Sequence, residues 1–273
     1  MTRDAASQDA SATKPATDHV TRDAFLGGAI HVLQPKAGYR AGLDAVLLAA
    51  ACPVGAGVGG SVGGDSVLDC GAGVGTAALC IAARVPSARL TLVEREPELA
   101  ALARDNIAAN GCAARATVIA ADLTARLAQS PELAGSTESF DHVIANPPYY
   151  ENQRGTLADD PQRAAAHAMP AGGLEAWARF MAAMAKPRGT VTLVHRADAL
   201  ADVLGVLDGR FGALKIRPVH ARATEPATRI LVHGIKGSRA PLVLLPALVL
   251  YDAGGGTRAE VEAMLRGGAA LEW

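Results

Sequence analysis

From residue 66 onward, short apolar runs alternate with segments whose apolar residues recur at helical spacing. The strand-like runs begin at Ser66, Arg89, Ala116, Phe140 and Gly189. The helical segments cover 98–110, 172–185 and 199–207. Alternation of strand and helix of this kind predicts a doubly wound α/β domain with a mostly parallel sheet.

The pattern changes near the end of the chain. Segments 214–221 and 229–235 alternate between apolar and polar residues and lie close together in sequence. This spacing leaves no room for a crossover helix, so we expect an antiparallel pair at the end of the sheet.

The N-terminal part divides into three pieces. Residues 1–22 are rich in Ala, Ser, Thr and Asp and lack an apolar signal-peptide core, which predicts a disordered tail and a cytoplasmic location. Segment 23–65 contains a predicted hairpin around Gly27-Gly28, a helix over 42–51 and a glycine-rich linker. The remaining residues, 66–273, form the main domain.

Composition excludes several classes of protein. The chain has 273 residues, half of them hydrophobic, which suits one sizeable core. No apolar run is long enough for a membrane span. Its four cysteines have no C-x-x-C spacing, so we expect neither disulfides nor a metal site. The net charge of −1 says nothing about nucleic acid.

The most informative stretch is Phe140–Tyr150. An apolar run ends abruptly at Asn146-Pro147-Pro148-Tyr149, and because proline has no N–H for a ladder, the strand must stop there. The motif therefore lies at the carboxyl end of a strand, where open α/β sheets bind ligands. An amide, two rigid prolines and an aromatic ring suit a flat substrate that carries an amino group.

Three upstream strands also end in polar residues. Asp69 precedes a turn formed by Gly71, Gly73 and Gly75, and Glu94 and Asp122 end the next two strands. Glycines allow a tight turn and close approach of the backbone to a ligand. An acid just before that turn would repel a pyrophosphate, so it favours a ligand with an amine or hydroxyl groups.

This ordered set resembles the class I S-adenosylmethionine-dependent methyltransferases. The opening from Phe25 to Ala49 is similar to the bacterial tRNA (valine) adenine-N6 methyltransferases. The resemblance implies a seven-stranded sheet with an antiparallel last strand, S-adenosyl-L-methionine as cofactor, and an adenine beside the anticodon of a tRNA as substrate. It gives no oligomeric state.

The resemblance also implies roles for individual residues. The cofactor would be bound by Asp69 at its ammonium, by the glycine turn, by Glu94 at the ribose, by Asp122 at the adenine, and also by Asn146. The side-chain oxygen of Asn146 and the carbonyl of Pro147 would orient the substrate amine, and Tyr149 would stack on the base. Tyr39, Arg40 and Tyr150 would contact RNA.

A basic stretch near the end of the main domain is a second candidate RNA contact. Residues 210–239 contain seven basic side chains and one acidic side chain. Such a cluster on an otherwise acidic chain indicates a polyanion site, with Arg217 and Arg222 as the residues expected to bind RNA. A solvated strand edge is the alternative interpretation.

Other functions remain open at this point. Relatives that methylate another RNA base or a protein glutamine share Asn-Pro-Pro-Tyr. The glutamine enzymes usually carry a helical N-terminal domain, for which residues 1–65 are too short and too poorly periodic. A cofactor-binding RNA-binding protein without turnover is the non-enzymatic alternative.

Overall fold

The computed structural model of the protein describes residues 19–38, 40–55, 64–148 and 172–273. No helix within these ranges is long and apolar enough to cross a membrane. The strands are β1 (Val20–Phe25), β2 (Ile30–Pro35), β3 (Ser66–Cys70), β4 (Arg89–Glu94), β5 (Ala116–Ala120), β6 (Phe140–Ala145), β7 (Ala185–Arg196), β8 (Phe211–His220), β9 (Ala227–Lys236), β10 (Val243–Leu244) and β11 (Leu248–Val249). The α-helices are α1 (Leu43–Ala51), α2 (Thr76–Arg84), α3 (Pro97–Ala109), α4 (Pro131–Ala134), α5 (Gly173–Met184), α6 (Leu200–Leu207) and α7 (Ala259–Gly267).

The main sheet has the predicted mostly parallel topology. Its central order is β5-β4-β3-β6-β7-β9-β8, and β9 runs antiparallel to both of its neighbours. The two-residue strands β10 and β11 also pair with β8, so the sheet has nine strands rather than the predicted seven. With two residues each, they are too short for an alternating apolar pattern to predict them.

Helices cover both faces of this sheet. Ile144 on β6 packs in one cluster with α1, α2 and α7, whereas Val143 and Ala145 pack in the other with α5 and α6. All six residues of β6 are buried. A strand covered on both faces reads as a continuous apolar run, as the sequence indicated.

The N-terminal hairpin is longer than predicted. β1 begins at Val20 and pairs with β2 through Pro35, so the predicted boundary of a disordered tail at residue 22 is wrong. Arg22 pairs with Leu33, which gives this polar segment a place in the hairpin despite its weak apolar pattern. The turn at Leu26–Gly28 and helix α1 lie where the sequence predicts them. Residues 1–18 lie outside the described residues.

Candidate cofactor and substrate site

Neighbouring parallel strands bring the predicted site residues to one edge of the sheet. Cys70, the last residue of β3, pairs with Val93 on β4 and with Ala145 on β6. The glycine turn after β3 therefore lies between Glu94 and Asn146, which end or follow the adjacent strands.

Two glycines in this turn have separate physical requirements. Gly71 has φ +64°, and a Cβ added there would collide with the ring of Trp177 on α5. Gly73 has φ +56°, and a Cβ there would meet no atom of the described residues within 4 Å. Gly71 therefore allows close packing of backbone and indole, whereas Gly73 is itself buried but has space beside its Cα that no described atom fills.

The carboxylate of Glu94 holds this turn. Its Oε2 accepts the backbone N–H of Gly73 at 2.8 Å, and its Oε1 accepts the backbone N–H of Glu96 at 2.9 Å. The side chain is buried. Because each carboxylate oxygen has two lone pairs, both oxygens retain capacity for the hydroxyl groups of a ligand.

Asp69 lies beneath the start of α2. The residue is buried, its carboxyl group bonds to the backbone of Ala78, and its Oδ2 has no hydrogen-bond partner among the described residues. Burial raises the pKa of Asp69 to about 7, and the nearby negative charge of Glu94 adds to the shift. Both the turn-capping interpretation and a contact with a cationic group fit this environment.

Asp122 follows β5 at the end of a cleft. Its Oδ1 accepts hydrogen bonds from the backbone N–H and the hydroxyl of Thr124, at 2.8 and 2.6 Å. With Leu123, Leu133 and Phe180, Asp122 lines a cleft of about 260 Å³. Arg126, Gln129 and Ser130 also line this cleft. Apolar surface beside an exposed carboxylate and other polar groups suits a heteroaromatic ring that carries an amino group.

The predicted motif lies at the centre of this edge. Asn146 follows β6 and is partly exposed, and Pro147 is buried. Ala145, the residue before them, pairs with Leu193 on β7 as well as with β3. Tyr149 and Tyr150, together with Tyr39, lie outside the described residues.

The arginines expected to bind RNA make contacts within the chain. Arg40 pairs with Asp23 at 2.5 Å and also bonds to the carbonyl of Pro35. Arg217 is partly buried, and its Nη2 donates to the carbonyl of Glu272 at 2.7 Å. Arg217 therefore fixes the C-terminal segment, which the sequence did not indicate.

The basic stretch 210–239 is divided between two ends of the sheet. Arg229 pairs in register with Arg196 at the end of β7, and Arg222 follows β8 at the same end. Arg210 precedes β8 and Lys236 ends β9, so these two lie at the opposite end. Lys215 and Arg217 lie within β8 between these ends, and only the first end is shared with Asn146.

Acidic partners further reduce the free charge of this stretch. Four of its cations form ion pairs, which the sequence did not predict: Arg210–Glu175, Arg222–Glu225, Arg229–Asp44 and Lys236–Glu138.

Sequence reasoning also missed three residues around the turn. Trp177 lies against Gly71, and Asn106 on α3 and Asn110 at its C-terminal cap bond to β2. Two asparagines four residues apart share one face of a helix, and this spacing was the available signal.

The site has features that fit S-adenosylmethionine. The space beside the Cα of Gly73 holds no described atom, Glu94 retains acceptor capacity for ribose hydroxyls, and Asp122 adjoins a cleft suited to an adenine. The buried Oδ2 of Asp69 is an acceptor suited to an ammonium group.

Sheet order and site together define a class I methyltransferase, and comparisons with known proteins agree. Residues 61–176 match the family model described as "Methyltransferase small domain". A predicted O-methyltransferase from Agrobacterium tumefaciens has a similar structure, with a TM-score of 0.68, 32% identity, and coverage of 84% of this chain and 98% of that one.

The sequence relatives give a narrower family. A protein of Porphyromonas gingivalis named tRNA1(Val) (adenine(37)-N6)-methyltransferase is 31% identical over 76% of this chain and 75% of its own length. A protein of the same name from Shewanella amazonensis is 34% identical over 62% of this chain, but the match spans just under two thirds of that protein, 66%. The chain belongs to the tRNA1(Val) (adenine(37)-N6)-methyltransferase family.

Proposed function

We propose that this protein transfers a methyl group from S-adenosylmethionine to the exocyclic N6 of an adenine in tRNA, next to the anticodon. The observation that carries the proposal is the placement of Asn146 and Pro147 beside the glycine turn, at the shared edge of β3 and β6. The names of the Porphyromonas and Shewanella relatives specify adenine 37, and a tRNA substrate implies action in the cytoplasm.

Residues at the carboxyl ends of β3, β4 and β5 would bind the cofactor. The backbone at Gly73 and the carboxylate of Glu94 would hold the ribose and methionine portions, and Asp122 would accept from the adenine amino group. Asp69 would lie near the ammonium. When bound, the cofactor supplies an electrophilic methyl group on a sulfonium that leaves as a neutral sulfide.

The chain's main task is to orient a weak nucleophile. The lone pair of an aromatic amine is delocalised into the ring, so the amine reacts poorly unless it is held in a suitable geometry. Two acceptors, the Asn146 side-chain oxygen and the Pro147 carbonyl, would bind its two N–H groups and direct the lone pair away from the ring plane. Catalysis would then come from orientation and from tighter binding of the transition state.

Substrate access also favours a single-stranded loop. A base must leave its stack to reach an edge formed by strand ends, and this costs least where the base is not paired. The anticodon loop meets that requirement. Tyr149, which follows the two prolines, would stack on the base and limit its rotation.

The substitution Asn146→Ala tests this proposal. It removes one acceptor and leaves both prolines in place, so single-turnover methyl transfer to unmodified tRNA should fall by about 100-fold or more. The control is calorimetry, in which the variant should retain most of its affinity for S-adenosylmethionine. Equal transfer rates for wild type and variant would contradict the orientation mechanism.

A further inference from the structure

Asn106 on α3 and Asn110, which follows the last residue of α3, cover the outer edge of β2. Asn110 accepts from the N–H of His31 at 3.0 Å and donates to the carbonyl of the same residue at 2.7 Å. Asn106 makes the same two contacts with Leu33, at 2.7 and 3.0 Å. Residues two apart on a strand present their backbone groups to the same side. The two side-chain amides therefore act as a substitute for a neighbouring strand.

Only one of the two amides also reaches the glycine turn. Asn106 is completely buried, and its Nδ2 donates a second hydrogen bond to the carbonyl of Val74 at 3.0 Å. The corresponding second bond of Asn110 returns to its own helix, at the carbonyl of Asn106. Asn106 therefore connects the N-terminal hairpin to the turn, whereas Asn110 connects the hairpin to α3 alone.

The contacts continue from β2 into the segment that precedes α1. Gln34, next to Leu33, is buried and accepts the backbone N–H of Ala41 at 2.7 Å. It also donates to Asp23 at 2.7 Å, and Asp23 pairs with Arg40. Two sets of hydrogen bonds, joined by the peptide bond between Leu33 and Gln34, thus link the glycine turn with residues 40 and 41.

We propose that Asn106 is a positioning residue that holds the hairpin β1–β2 and the cofactor-binding turn as one unit. The inference rests on the proposed function, because it requires the turn to bind the cofactor. Loss of the Asn106 amide leaves the buried carbonyl of Val74 without this donor and frees the edge of β2 at Leu33. Cofactor binding and order in the hairpin are then coupled, and such coupling acts in both directions.

The first test compares Asn106→Ala with Asn110→Ala by titration calorimetry, with S-adenosylhomocysteine as the probe. Each variant removes one side-chain amide from the edge of β2. Thermal unfolding of both variants measures how much stability the loss of such an amide costs. Asn106→Ala should weaken binding by about tenfold or more, and Asn110→Ala by less than about threefold. Equal affinities of wild type and Asn106→Ala, or equal losses in both variants, would overturn the inference.

The second test uses the wild-type protein and does not depend on the folding of a variant. Saturating S-adenosylhomocysteine should slow hydrogen exchange at the amide of Leu33 by at least about threefold, although that amide lies outside the turn. Unchanged exchange at Leu33 would overturn the coupling. If the wild type does not bind S-adenosylhomocysteine at all, both the proposed function and this inference fail. If it binds but exchange at Leu33 is unchanged, only this inference fails.

Discussion

Glu94 is the residue whose removal has the most sharply defined consequence. The substitution Glu94→Ala deletes the acceptors of two backbone N–H groups, one of them from the buried Gly73. A buried donor left without a partner costs about 1–3 kcal/mol. Because 1.4 kcal/mol is a factor of ten, cofactor affinity should fall by roughly 5- to 150-fold if this cost is borne by the bound turn.

Two further variants grade the effect. Glu94→Gln keeps the size of the side chain but retains one acceptor oxygen, so its loss of affinity should lie between those of wild type and Glu94→Ala. Glu96→Ala is the matched control, since the Glu96 side chain is 56% exposed and pairs only with Arg95 among the described residues. It should bind the cofactor normally.

The assay is titration calorimetry with S-adenosylmethionine, accompanied by urea unfolding without ligand. Unchanged affinity in Glu94→Ala would remove this carboxylate from the cofactor site. A loss of similar size in Glu96→Ala would show that negative charge near the end of β4 matters, rather than the two hydrogen bonds.

Three other predictions use the same structure. Gly71→Ala should destabilise the fold by about 1–3 kcal/mol in urea unfolding, because the added methyl group overpacks against Trp177. The double variant Gly71→Ala, Trp177→Leu should lose less stability than the sum of the two single variants. A loss equal to that sum would argue against the contact. Burial lowers the pKa of His233 from 6.5 to about 4, so the unfolded state binds a proton before the folded state does as pH falls. The free energy of unfolding of His233→Gln should therefore rise relative to that of wild type by about 3 kcal/mol between pH 7 and pH 4. A difference that does not change with pH would contradict this. Arg222→Glu should flatten the salt dependence of tRNA binding by about one unit of slope, while Arg239→Glu at the opposite end of the sheet should not; equal slopes in both variants would contradict an RNA contact at Arg222.

Patterns that repeat locally were sufficient to predict the parallel sheet and the edge at which the candidate site residues lie. Each strand of the parallel core is a short apolar run with its own stop signal, such as the prolines after Ala145. Carboxyl ends of parallel strands meet at one edge, so the positions of Glu94 and Asn146 followed from strand order.

Contacts between distant segments could not be predicted in this way. Arg229 pairs with Asp44, which lies 185 positions earlier, and nothing near Arg229 in sequence indicates that its charge is compensated. The packing of Trp177 on Gly71 likewise depends on how α5 returns to the sheet. The basic stretch therefore predicted more free charge than the fold retains.

The start of the N-terminal hairpin could not be predicted from composition. Val20 to Arg22 belong to a segment with little apolar periodicity, and the sequence therefore predicts a disordered tail there. In the structure these residues form a strand because β2 supplies hydrogen bonds along its inner edge. The outer edge of β2 is closed by Asn106, a tertiary contact that no local pattern encodes.

Product identity tests the central claim most directly. The wild-type protein would be incubated with unmodified valine tRNA and S-adenosylmethionine carrying an isotopically labelled methyl group, and the digested nucleosides analysed by mass spectrometry. The proposed function predicts label in N6-methyladenosine, located by fragment mapping to the adenine next to the anticodon. Label in another base, or none in tRNA while a protein glutamine becomes methylated, would contradict it.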